Sequence, residues 1–352
     1  MSHRIRPPLP LILGLAAVAV VGAACVPAAG EGAAPASSPA TVKTAEGIPA
    51  GTVINVGDQQ QDLQTLFQAS GALAGAPYRV NFVEFASGPL VNAGFAAHRI
   101  DVGFMGDLPA SLAIGSGLPV EAVAVDRPIG PAEYLLAQPG IRSIAQLRGK
   151  PVAYTTGTAE QAFALRALAS AGLVQEDVQQ VDVSLEQLGT VLESGSAAAS
   201  VVSVEQKVDY QQTHPTAKVL ATVDTVSPPT YGYFLATAAA LGNPSTRAAI
   251  TDFTLRLVRA SNWQRTHQSR WVQAYYVTVE HQTSATARLI LAAGGTEEFV
   301  PITAEVQSAL QNVVDLEAGA GAIRARFRVT PLFNPTTSHR YNDILKEVPQ
   351  NG

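Results

Sequence analysis

From Thr52 onward the chain alternates short apolar runs with stretches of helical periodicity, and it does so twice. Residues 52–56 read as a strand, and residues 62–69 carry Leu63, Leu66 and Phe67 at helical spacing. Residues 78–85, 102–105 and 120–125 read as further strands, with helices near 89–97 and 108–114 between them. This order predicts an α/β fold whose sheet is mostly parallel and covered by helices. A second series begins at 150–154, runs through a helix at 159–171 and continues to 219–221. The chain has 352 residues, more than one compact core usually holds. Two α/β units in such a chain predict two lobes with a cleft between them. The chain crosses near 132–137 and returns near 231–236. Residues 51–137 with 230–352 are therefore expected to form lobe 1, and 138–229 lobe 2. Residues 245–318 are helical in pattern, and Trp263 and Trp271 within them read as packing residues.

The first residues are an address. A short basic start with Arg4 and Arg6 precedes an apolar run from Leu11 to Ala24, too short to span a bilayer. Basic head, short apolar core and small residues before a cut are the marks of a secretory signal, here residues 1–24. Cys25, the only cysteine, follows Gly22-Ala23-Ala24 and resembles the acylated cysteine of a bacterial lipobox, although Gly22 stands where such motifs prefer Leu. An acylated Cys25 would anchor the chain to the membrane. Residues 25–50 are mostly Ala, Pro, Gly, Ser and Thr and read as a flexible tether.

Composition narrows the function. Hydrophobic residues make up 47% and charged residues 14% of the chain, which fits a folded globular protein. The net charge is −5, and loss of residues 1–24 removes two arginines and no acid, so nucleic acid is not an expected partner. A single cysteine excludes an internal disulfide and a paired-cysteine zinc site, and the scattered histidines form no metal motif. No metal or other cofactor is expected. No nucleophile elbow, Walker A or dinucleotide fingerprint is present, so no catalytic set is expected.

Three loops between a strand and a helix are the candidate site. They are Ala86-Ser87-Gly88-Pro89, Gly106-Asp107-Leu108-Pro109 and Thr155-Thr156-Gly157-Thr158. Each puts small or hydroxyl residues at a helix N-terminus, where free N–H groups and the helix dipole favour an anion. Ligands of open α/β sheets bind beyond the carboxyl ends of the strands, which is where these loops fall. Each loop also reads as ordinary capping: Asp107 is a good N-cap, and Thr158 with Gln161 is a capping-box pattern. Gln59, at the end of the first strand, offers an amide.

The segments Phe82-Val-Glu-Phe-Ala-Ser-Gly-Pro89 and Ile100-Asp-Val-Gly-Phe-Met-Gly-Asp-Leu-Pro109 resemble the aliphatic sulfonate-binding proteins, within the nitrate/sulfonate/bicarbonate group of ABC-importer solute-binding proteins. Ile144-Ala-Gln-Leu-Arg-Gly-Lys-Pro-Val-Ala153, Gly157-Thr158 and Leu168-Ala-Ser-Ala-Gly-Leu173 resemble the same family's second lobe. The resemblance covers roughly residues 52–235. It implies a two-lobed periplasmic-binding-protein fold of type II, a small-molecule anion as ligand, and an ABC permease as partner, with the protein itself a monomer. The matching ligand positions are Gln59, Ser87, Gly88, Asp107, Gly157 and Thr158, with Thr156 in the same loop. One departure stands out: sulfonate binders carry a Val-Asp-Ala-Trp…Trp-Asp-Pro segment where this chain has Ala197-Ala-Ala-Ser-Val-Val-Ser-Val-Glu205. Loss of both indoles predicts a roomier cleft, and Glu205 is a candidate contact for an amine or hydroxyl. Nitrate, a carboxylate or a vitamin-precursor heterocycle on the same scaffold are alternatives. A desulfinase-like enzyme is a further one, but it needs a cleft thiol, and Cys25 lies across the tether from the first strand. A lipoprotein serving only protein interaction is a third reading.

Overall fold

The computed structural model describes residues 47–294 and 296–348. The expected signal, Cys25 and most of the tether lie outside the described residues. The tether was expected to run to residue 50, but Ile48 already packs on the folded core.

Among the described residues eleven strands form two sheets. They are β1 (Val53–Gln59), β2 (Arg79–Phe85), β3 (Val102–Met105), β4 (Val120–Ile129), β5 (Glu133–Ala137), β6 (Pro151–Ala153), β7 (Gln179–Val181), β8 (Ala199–Ser203), β9 (Lys218–Thr222), β10 (Gly232–Thr237) and β11 (Thr296–Phe299). The first sheet has the order β11-β4-β10-β3-β1-β2 and the second β7-β6-β8-β5-β9. β1 is parallel to β2 and β3, whereas β10 lies antiparallel between β3 and β4, with β11 antiparallel on the far side of β4. In the second sheet β6 is parallel to β7 and β8, and β5 is antiparallel to β8 and β9. In each sheet the strand that arrives from the other lobe, β5 or β10, is a reversed one.

The placement of β5 corrects the expected boundary. Residues 133–137 were assigned to lobe 1, but they hydrogen-bond into the second sheet, so the chain crosses just before Glu133. The strand is apolar on both faces because both are covered. Leu135 and Ala137 face one core cluster with Tyr154 and Phe163, and Tyr134 and Leu136 face another with Leu188 and Val202. The expected helical run 245–318 is also interrupted. It contains the long helix Pro244–Thr266, a π-helical turn at Gln273–Val277 and, between later helices, strand β11. The sequence of β11, Thr-Glu-Glu-Phe, offers no strand pattern by itself; pairing to the edge of β4 makes it one.

Helix starts follow local chemistry. Asp58, at the end of β1, accepts hydrogen bonds from the amides of Leu63 and Gln64 at 3.0 and 2.9 Å and so caps the helix Asp62–Ser70. That helix buries Leu63, Leu66 and Phe67, the last against Phe253 at 4.9 Å between ring centroids. Ser203 caps the helix Val204–Thr213 in a reciprocal box with Gln206. Among the described residues no helix is long and apolar enough to cross a membrane.

Candidate functional site: an acid-lined interlobe cleft

β1, β2 and β3 end on the rim of the first sheet and β6 and β8 on the rim of the second, where the helices Asp62–Ser70, Gly88–Ala96 and Asp107–Gly115, and then Ala159–Ser170 and Val204–Thr213, begin shortly after. Because β5, β10 and β11 run the other way, their amino ends reach the rim of their own sheet. Between the two rims lies a cleft of about 390 Å³. Backbone approaches backbone at its edge: a Cβ on Gly106 would lie 2.6 Å from Cβ of Ala159 across the gap. Behind the cleft the lobes are joined by Arg166, wholly buried, which donates from Nη1 to Asp107 Oδ2 at 2.8 Å and from Nη2 to Thr230 Oγ1 at 2.7 Å. Leu108, Ala162 and Val313 make a small apolar contact beside it, and Gln161 donates to Glu317 at 3.2 Å.

Of the eight sequence-proposed ligand positions, Gln59, Gly88, Thr158 and Glu205 line the cleft. The Gln59 amide is already donating, from Nε2 to the Phe104 carbonyl at 2.9 Å, and the Thr158 hydroxyl donates to the Thr155 carbonyl at 2.8 Å. Ser87, Asp107, Thr156 and Gly157 are not among the lining residues. Asp107 is only 1% exposed and is held by Arg166 instead of facing a ligand. The Gly157 amide, proposed as an anion donor, donates to the Gln161 side chain at 2.6 Å, and the Thr156 amide donates to Asp182 at 2.9 Å. The left-handed backbone at Gly157, with φ of 79°, forms the turn that makes the first of these contacts possible.

The surroundings of the cleft are acidic. Asp58, Asp62, Asp126 and Glu133 line it, as do Glu160, Glu186, Glu205 and Glu297. No Lys, Arg or His is among the described lining residues. Asp126, at 2% exposure, sits opposite Gly232 in the β4–β10 ladder; burial, reinforced by Glu297, pushes its carboxyl well above the usual range. Burial also raises Asp58, to about 6, against the three backbone amides that favour its ionised form. Asp62 is raised by burial and then by repulsion from Glu297, Asp58 and Glu205. Glu133 is raised by burial and then by Glu160 and Asp107, and its Oε2 is closed off from solvent with no hydrogen-bond partner.

Part of the lining is aromatic and lies beside Asp62, Glu205 and Glu297. Trp271 stacks on Tyr275 at 4.8 Å and 5°, and Tyr276 meets Tyr275 edge-on at 5.3 Å. Trp271, Tyr275 and Tyr276 all line the cleft, and the two tyrosines belong to the π-helical turn. Such turns recur at functional sites because one extra residue re-aims the side chains. Trp271, 3% exposed, is a core packing residue as expected from sequence that also borders the cleft, and Trp263 packs on His267 at 5.0 Å.

Sequence reasoning missed Asp62, Asp126, Glu133, Glu160, Glu297 and the aromatic wall. A signal was present for some of them: Asp126 follows the apolar run of β4, Glu133 opens the apolar strand β5, and Glu160 stands second in a helix that starts at the rim.

Two α/β lobes with reversed crossing strands and a cleft at the strand ends define the periplasmic-binding-protein architecture. The chain belongs to the NMT1/THI5 like family, whose model matches residues 79–262. A protein of Escherichia coli (strain K12) named for binding aliphatic sulfonates is 30% identical over 123 residues, a match spanning 34% of this chain and only 39% of that one. Among solved structures, the alkanesulfonate-binding protein SsuA from Xanthomonas axonopodis pv. citri, bound to MOPS, has a TM-score of 0.72 at 21% identity, covering 81% of this chain and 99% of that one. The periplasmic aliphatic sulphonate binding protein SsuA from Escherichia coli has a TM-score of 0.72 at 20% identity, covering 81% and 92%. At these identities the structural likeness speaks for the fold.

Proposed function

We propose that this chain is the extracytoplasmic solute-binding subunit of an ABC importer, which captures a small organic solute between its lobes and presents it to a membrane permease. The observation that carries the reading is the interlobe cleft itself, of a size for one small molecule and rimmed by helix N-termini and aromatic rings. The names of its relatives, which are binding proteins for sulfonates, support it. Taken from its own cells under native conditions, the protein should carry a discrete small-molecule mass in native mass spectrometry, lost on denaturation and refolding. A protein that arrives empty, and whose melting temperature ignores a small-molecule extract of those cells, would overturn the reading.

The relatives' names point to an anionic solute. The cleft argues against it. One ionised carboxylate about 6 Å from an anion costs about 3 kcal/mol at an effective dielectric of about 20, and among the described residues no basic side chain lines the cleft, Arg166 offsetting Glu133 only in part.

Membrane attachment through an acylated Cys25 completes the proposal, resting on the lone cysteine after a signal-like segment. Cys25→Ser should move the protein from the membrane to the soluble fraction. Retention at the wild-type level would remove the anchor.

A further inference from the structure

Six carboxylates of the cleft carry the argument: Asp62, Asp126, Glu133, Glu160, Glu205 and Glu297. Elsewhere in the molecule two buried acids are matched by arginine, while Glu317 has only the Gln161 amide. Asp107 has Arg166, and Asp252 has Arg256 at 2.5 Å together with the Tyr78 hydroxyl at 3.0 Å. The cleft acids have no such match. Arg127, next to Asp126 in sequence, turns outward to pair with Glu298. Glu133 adds an independent sign: its Oε2 is sealed from water and accepts no hydrogen bond, a position that wants a donor. Tyr276, half-buried at the cleft beside Asp62, Glu205 and Glu297, supplies an aromatic ring of the kind that attracts cations, with Trp271 and Tyr275 stacked in the core at the same wall. No cluster among the described residues has the arrangement of a metal site.

We propose that the solute taken by this cleft is an organic cation, with an ammonium or amidinium group held by the carboxylates and an apolar body against the aromatic wall. The proposal rests on the reading of the cleft as the solute site. Glu133 and Asp126 are the groups that the charged end meets, and Tyr276 is the ring that meets the body.

The test uses four probes of nearly one shape: benzamidinium, benzamide, benzoate and benzenesulfonate. Each is titrated calorimetrically into the full chain and into the double variant Asp126→Asn/Glu133→Gln. Benzamidinium should bind at least about tenfold more tightly than benzamide, the two anions should show no binding, and the variant should lose at least about tenfold in benzamidinium affinity. The variant should fold, because neutral amides replace carboxylates whose charge burial opposes; circular dichroism and an unchanged or raised melting temperature check this. An anion that binds as tightly as benzamidinium, or a folded variant that binds benzamidinium as the wild type does, overturns the charge assignment and leaves the solute-binding reading standing. If all four probes fail, the molecule retained from cells decides: a retained anion or neutral compound overturns the charge assignment alone, a retained cation that the double variant no longer holds upholds it, and no retained molecule removes both.

Discussion

The back of the lobe junction and the cleft in front of it treat buried carboxylates in opposite ways. At the back, Asp107 and Arg166 are both withdrawn from water and face each other at 2.8 Å, with Thr230 taking a second guanidinium donor. In the cleft, Asp126 is as deeply buried as Asp107 and has no arginine. Where charge serves to join the lobes, the protein supplies its own counter-ion. Where charge is left uncompensated, the fold bears a cost that burial alone would select against, and the compensation is expected from outside.

The sharpest way to break this contrast is Arg166→Met. It should leave Asp107 buried without a partner and destabilise the protein by about 3–5 kcal/mol in urea unfolding. Pairing it with Asp107→Leu should restore most of that loss, because the uncompensated charge is then gone. A single variant that loses less than about 1 kcal/mol would show that the pair does not hold the junction.

A smaller effect is expected from Glu317, which lies between the two settings. It is fully buried, touches Gln161 at the junction, and its Oε1 has no partner. Burial, then repulsion from Asp107, pushes its carboxyl up to about 8, against the pull of Arg166. In the unfolded chain a glutamate titrates near about 4.3. Between these values the folded state holds a proton that the unfolded state has released, so stability falls as pH rises through the window. Glu317 alone should remove about 2–3 kcal/mol between pH 5 and pH 7. Glu317→Gln should flatten that part of the pH profile while leaving stability at pH 5 nearly unchanged. Identical pH slopes for variant and wild type would show that Glu317 is already paired in solution.

The apolar strands and the amphipathic helix at residues 62–69 were legible because their burial patterns repeat with the period of the element that carries them, and period survives in sequence. Strand β11 was not legible, since Thr-Glu-Glu-Phe has no alternation and becomes a strand only by lying on β4. Gln59, Gly88 and Thr158 could be placed at the cleft because a strand-to-helix turn fixes where its residues point. Asp107 and Gly157 occupy the same kind of turn and are engaged inward, Asp107 by Arg166 from a distant part of the chain and Gly157 by Gln161 four residues on.

The sequence by itself determined the two α/β series, the order in which the chain visits them and the helix starts at the rim, because all of these follow from local periodicity and capping chemistry. Tertiary structure alone decided the character of the cleft. Asp62, Asp126, Glu133 and Glu297 belong to separate elements, and each reads as an ordinary surface acid in its own neighbourhood. Only the convergence of reversed and forward strands on the two rims of the cleft brings them together, and Coulomb repulsion depends on distance in space, which separation along the chain does not encode.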